Sequence, residues 1–124
     1  MEVARMFRSF CAALALGLAV LVMPDPAAAQ GCSEIKFQRG SFSGEVSGRV
    51  SERQPVCFTF GSGAGQQARL QVFGSQNVCF NVRGVADCRD DFTFRTRRQT
   101  YVVDVNQLFV GPGFETFTLR LTIR

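Results

Sequence analysis

Apolar and polar residues alternate strictly from Phe117 to Ile123: Phe117, Leu119, Leu121 and Ile123 are apolar, and Thr118, Arg120 and Thr122 are polar. A period of two puts one set of side chains against a core and the other in water, as in a strand with one wet face. The same alternation recurs through Val56, Phe58 and Phe60, through Ala68, Leu70 and Val72, through Val78, Phe80 and Val82, and through Tyr101, Val103 and Val105. Phe92 and Phe94 open a shorter strand, and residues 35–37 and 45–50 supply two more. The intervening stretches carry turn chemistry: Arg39-Gly40-Ser41, Gly61 to Gly65, Gly74 to Asn77, and Gly111-Pro112-Gly113. No segment sustains a 3.6-residue apolar period. The pattern predicts an all-β fold, an antiparallel, jelly-roll-like β-sandwich of about eight strands. The chain has 13 Phe and no Trp, so Phe is expected to fill the core.

The first 29 residues follow another rule. Arg5 and Arg8 precede an unbroken apolar run from Cys11 to Met23, and Pro24, Pro26 and Ala27-Ala28-Ala29 follow it. This is the layout of a secretory signal peptide, and the run is shorter than the roughly 20 residues needed to span a bilayer. The expected organisation is a signal peptide over 1–29 and one β-sandwich domain over 30–124, located in the periplasm or secreted. No second apolar segment follows, so no membrane span is expected. Cys32 after Ala29-Gln30-Gly31 is a poor match to a lipid-attachment motif, with bulky Gln in the way.

Export changes the reading of the cysteines. Cleavage removes Cys11 and leaves Cys32, Cys57, Cys79 and Cys88, an even set in an oxidising compartment. Two disulfides are expected. No CxxC pair supports a zinc site, and no metal or other cofactor is expected. A short loop favours Cys79–Cys88, which leaves Cys32–Cys57. Cys57 and Cys79 both fall on the polar phase of their strands, so a Cys57–Cys79 bridge is the rival pairing.

The formal net charge of +4 survives cleavage, because Arg5 and Arg8 leave together with Glu2 and Asp25. Lys36 is the one lysine, so the basic residues are otherwise arginine, whose guanidinium suits carboxylates and phosphates. There is no His, which removes the commonest general base and metal ligand. Bridged cysteines leave no thiol nucleophile, and no serine has an evident base partner. The chain is therefore read as a non-enzyme.

Three stretches are candidates for binding. Asp87, Asp90 and Asp91 form an acidic cluster on what reads as one loop, where several oxygens could take calcium. Their spacing does not match an EF-hand loop, and a charged hairpin tip is the plainer reading. Arg95, Arg97 and Arg98 form the densest basic run, expected in a turn; an exported protein makes nucleic acid an unsuitable partner and an acidic protein or anionic envelope component a suitable one. Leu108, Phe109, Val110 and Pro112 belong to an apolar stretch ending in Gly111-Pro112-Gly113, placed either against a partner or as a plug over the sandwich end.

Several segments also resemble a known family. Glu34 to Phe37 with Phe42 to Val50, the strand Cys57 to Phe60 with the Ala64-Gly65-Gln66 turn, Tyr101 to Val105, and Phe117 to Ile123 resemble the bacterial pre-peptidase C-terminal-type domain. Stand-alone exported copies of this size resemble the periplasmic inhibitors of goose-type (g-type) lysozyme. The resemblance implies a sandwich without catalytic apparatus that binds through its loops, with no inhibitory residue carried over position by position. The function expected is an exported, non-catalytic binding module, an inhibitor of a cell-wall-degrading enzyme such as g-type lysozyme. The alternative is a calcium- or polymer-binding accessory domain of the cell envelope.

Overall fold

The structure, a computed structural model, describes residues 31–124 and Gly17. The expected signal peptide lies outside these residues. Nine strands follow in chain order: β1 (Ser33–Glu34), β2 (Ser43–Val50), β3 (Val56–Ser62), β4 (Gln67–Phe73), β5 (Val78–Val82), β6 (Ala86–Arg89), β7 (Asp91–Arg95), β8 (Gln99–Gln107) and β9 (Glu115–Ile123). No helix occurs among the described residues, and none there is long and apolar enough to cross a membrane. The strands form a five-stranded sheet, β1-β3-β8-β5-β6, and a four-stranded sheet, β2-β9-β4-β7. All pairs are antiparallel except β1 with β3.

The alternating apolar residues face one another between the sheets. Phe80, Val82, Val103 and Val105 of the larger sheet and Val50, Leu70, Leu119 and Leu121 of the smaller are almost wholly buried. Each such side chain contributes roughly 1.5–3 kcal/mol in transfer, much of it offset by chain entropy. Phe60 stacks on Tyr101 with centroids 5.3 Å apart, and Phe94 meets the same Tyr101 edge-on at 5.1 Å. Phenylalanine fills the core only in part. Phe58, Phe60, Phe80 and Phe117 are buried, and Phe37, Phe92 and Phe94 pack against them. Phe42, Phe73, Phe109 and Phe114 are exposed.

Both disulfides lie on the outer face of the five-stranded sheet, one at each edge. Cys32–Cys57 ties the segment entering β1 to β3, and Cys79–Cys88 ties β6 to β5, with Cα atoms 4.7 and 5.0 Å apart. A Cys57–Cys79 bridge is prevented by topology: β8 runs between β3 and β5, and Cys57 and Cys79 stand opposite Asp104 and Asn106 of β8 on its two sides. Sulfurs two strand spacings apart, about 9.5 Å, cannot be joined. The bridge also occupies the Cys32 sulfur.

Two local readings need correction. The first strand is Ser33–Glu34 rather than residues 35–37; Ile35 only extends the pairing, its N–H donating to the Thr59 carbonyl at 2.8 Å. The acidic cluster is not one loop. Asp87 lies in β6 and Asp91 in β7, which belong to different sheets, so the chain crosses the sandwich at Asp90.

Candidate functional site

The nine residues of β8 connect the two candidate binding stretches, and at about 3.3 Å per residue they hold them about 30 Å apart. The basic run precedes β8 at one end of the sandwich. The apolar run follows it at the other. They cannot form one compact site.

At the basic end, the β7–β8 turn is locked to the β3–β4 turn by Thr96. Its hydroxyl donates to the Gly63 carbonyl at 2.7 Å and accepts from the Gln66 N–H at 3.1 Å, and Thr96 and Gln66 also share a backbone bond of 2.7 Å. Thr96 is buried, whereas Arg95, Arg97 and Arg98 are exposed. Arg95 reaches the Gly65 carbonyl at 3.2 Å, and the Arg97 N–H donates to the Tyr101 hydroxyl at 2.8 Å. The ion pairs among the described residues are Arg69–Asp91, Arg83–Asp104 and Arg120–Glu45, none of which uses these three arginines. The turn is thus a rigid mount for basic side chains whose charges are not neutralised by a neighbouring carboxylate.

At the other end the apolar stretch is held from beneath by two amides. The Asn77 side chain accepts from the Phe109 N–H at 2.7 Å and donates to the Phe109 carbonyl at 2.9 Å, while the Leu108 N–H donates to the Asn77 carbonyl at 2.9 Å. Gln107 donates to the Gly113 carbonyl at 2.8 Å and accepts from the Gly111 N–H at 3.3 Å. Asn77 is itself fixed by Glu115 at 3.3 Å, and Glu115 takes the Ser75 hydroxyl at 2.8 Å. Gly74 leads the chain into this turn with φ +103°, and a Cβ there would stand 3.1 Å from the Thr116 carbonyl oxygen. Glycine lets the β4–β5 turn approach β9 closely enough for Asn77 to reach the loop.

With the backbone so held, the apolar side chains point outward. Phe109 and Val110 are 75% and 67% exposed, and Leu108 and Phe114 about half. The plug reading therefore fails for Phe109 and Val110. Val110, Pro112 and Phe114 form one wall of an open depression of about 670 Å³, whose other wall is the Ser51–Gln54 turn. Arg49 lies 4.9 Å over the Phe114 ring and adds a cation to the apolar rim. A pre-shaped apolar loop with a charged rim loses little conformational entropy on binding, which favours protein recognition. Asn77, Gln107 and Glu115 escape a reading of the sequence alone; the signal that could have found Asn77 is its place at the end of the Gly74–Asn77 turn.

The acidic cluster has no such organisation. Arg69 grips Asp91 through two bonds of 3.0 and 2.7 Å, and this guanidinium holds the Asp91 carboxyl below its ordinary range. Among the described residues no three metal-ligating side chains converge, so Asp87, Asp90 and Asp91 do not form a calcium cage. A larger open trough of about 920 Å³ crosses the outer face of the four-stranded sheet, lined by Glu45, Arg69, Gln71, Arg120 and Thr122 among others.

No protein-family model, the pre-peptidase C-terminal type included, and no curated protein sequence matches the chain. Solved structures do. The periplasmic inhibitor of g-type lysozyme PliG from Aeromonas hydrophila superposes with a TM-score of 0.64 at 19% identity, covering 75% of this chain and 96% of that one. PliG from Salmonella Typhimurium gives 0.58 at 14% identity, covering 73% and 96%. A mutant of Escherichia coli PliG gives 0.59 at 14% identity, covering 74% and 96%. At these identities, what the chain shares with the three inhibitors is the sandwich fold across nearly their whole length.

Proposed function

We propose that this chain is an exported, non-catalytic protein-binding module that inhibits a cell-wall-degrading enzyme in the periplasm, with g-type lysozyme as its target. The observation that carries the reading is the braced apolar loop Leu108–Phe114 on a fold shared with three periplasmic inhibitors of that enzyme. In this reading Phe109 and Val110 enter the partner's substrate cleft. Arg95, Arg97 and Arg98, at the far end, act through the field of the +4 molecule, speeding encounter with an acidic partner rather than touching its cleft. The absence of His and the engagement of Asp91 by Arg69 speak for binding rather than chemistry or calcium capture.

The test is lysis of a peptidoglycan suspension by g-type lysozyme, with the exported protein added in micromolar excess. Inhibition is expected. Unchanged lysis removes lysozyme as the target and leaves the search for another partner of the same loop.

A further inference from the structure

Each sheet of an open sandwich ends in strands whose outer N–H and C=O groups lack partners, and folded proteins usually shorten, staple or cover such edges. Three of the four edges here are treated in that way. β1 has two residues and β6 four, each beside a disulfide, and β7 has five. The fourth, β2, runs for eight residues without a register shift.

The direction of its backbone groups follows from one bond. The Ile123 N–H donates to the Phe42 carbonyl at 2.8 Å, and the ladder continues with Ser43 opposite Thr122. Antiparallel pairing alternates, so Gly44, Val46, Gly48 and Val50 bond to β9, while Ser43, Glu45, Ser47 and Arg49 turn theirs to the open edge. Ser43 is already capped, its N–H and C=O bonded to the Ser41 hydroxyl at 3.2 and 3.0 Å. Glu45, Ser47 and Arg49 remain, and all three side chains are exposed on the sheet's outer face.

These three are self-complementary. We propose that β2 is the docking strand for a second copy of this chain, paired antiparallel about a two-fold axis through Ser47. In that register Ser47 faces its own counterpart, and Glu45 of each copy faces Arg49 of the other. The outward N–H and C=O of all three residues find partners, because a two-fold axis on an outward residue sets outward residues opposite outward ones. Glu45, held by Arg120 at 2.7 Å in its own copy, gains a second guanidinium. The Lys36–Phe37 segment packs against Gly44, and β2 is the outer strand of its sheet. Because the two β2 strands run in opposite directions, the Phe109 loops project from opposite ends. Arg49 belongs both to this seam and to the Phe114 rim, so S47P, which leaves that rim intact, is the variant that separates the dimer from the inhibitory reading.

A single-strand seam is at the small end of interface sizes, so the association is weak, with a dissociation constant of roughly 10 µM to 1 mM. Sedimentation equilibrium of the exported protein at low salt, up to about 1 mM, should show a monomer–dimer equilibrium. R49E sets carboxylates opposite each other and E45R sets guanidiniums opposite each other; each should weaken the dimer at least about tenfold, and the double variant E45R/R49E should restore it. S47P removes an outward N–H and keeps the backbone bonds to β9, losing only the 2.9 Å hydroxyl contact of Ser47 with Thr118, so it should abolish dimerisation with the thermal transition still cooperative. A wild-type chain that stays monomeric at about 1 mM overturns the proposal. So does a dimer that ignores both S47P and the charge exchange.

Discussion

Asn77 holds Phe109 at both ends of its backbone: its side-chain oxygen takes the Phe109 N–H at 2.7 Å, and its amide nitrogen gives to the Phe109 carbonyl at 2.9 Å. A half-buried amide from the β4–β5 turn thus fixes the most exposed phenylalanine of the described residues. These bonds from the Asn77 side chain act on the Phe109 backbone, so the ring itself stays exposed. This arrangement separates support from recognition, and the two can be tested apart.

Asn77→Ala removes both bonds and leaves Glu115 without its amide partner. The expected loss is about 1–2 kcal/mol of stability, roughly 5–15 °C in Tm for a chain of this size. Hydrogen exchange checks the mechanism: the Phe109 N–H should lose protection while the Val103 and Leu119 N–H groups of the sheet centres keep theirs.

The two disulfides should differ in worth. Cys32–Cys57 closes a separation of 25 residues and Cys79–Cys88 one of 9. Chain entropy assigns them about 3.5 and about 2.6 kcal/mol. Replacing both cysteines of one pair with Ala should therefore lower the denaturant midpoint more for the 32–57 pair. Equal effects would show that staples act mainly by holding the short edge strands β1 and β6.

Acid should weaken the outer face of the smaller sheet. Arg69 lowers the Asp91 carboxyl below its ordinary value. A depressed carboxylate contributes stability above the unfolded value, near 3.9, and loses it as pH falls through the lower folded value. Asp91→Asn should melt slightly below wild type at pH 7, and the difference should close below about pH 4. Both partners are exposed, so the effect is modest and shrinks in high salt.

Much of the fold was legible because alternation reports burial directly: Phe117, Leu119 and Leu121 read as one face and form one face. The paired cysteines followed from export and loop length, although only the order β3-β8-β5 explains why Cys57 and Cys79 stay apart. The four residues Ala86-Asp87-Cys88-Arg89 are too few to establish a strand period and sit among charged neighbours, so β6 was not visible as a strand; it is held by its disulfide and its pairing with β5. The apolar loop was visible as composition, but not its orientation, which depends on Asn77 and Gln107 reaching across the chain end. Nor could the sequence show that the basic and apolar stretches sit at opposite ends, since that follows from β8 running unbroken between them.

The most direct test of the central claim is calorimetric titration of g-type lysozyme with wild type and with the double variant F109A/V110A. These side chains are exposed, so the variant should melt within about 2 °C of wild type. The account predicts that wild type binds and that the variant binds at least about a hundredfold more weakly, as expected for truncating the centre of a protein interface. Equal affinity for the two proteins, or no binding by wild type, would contradict it.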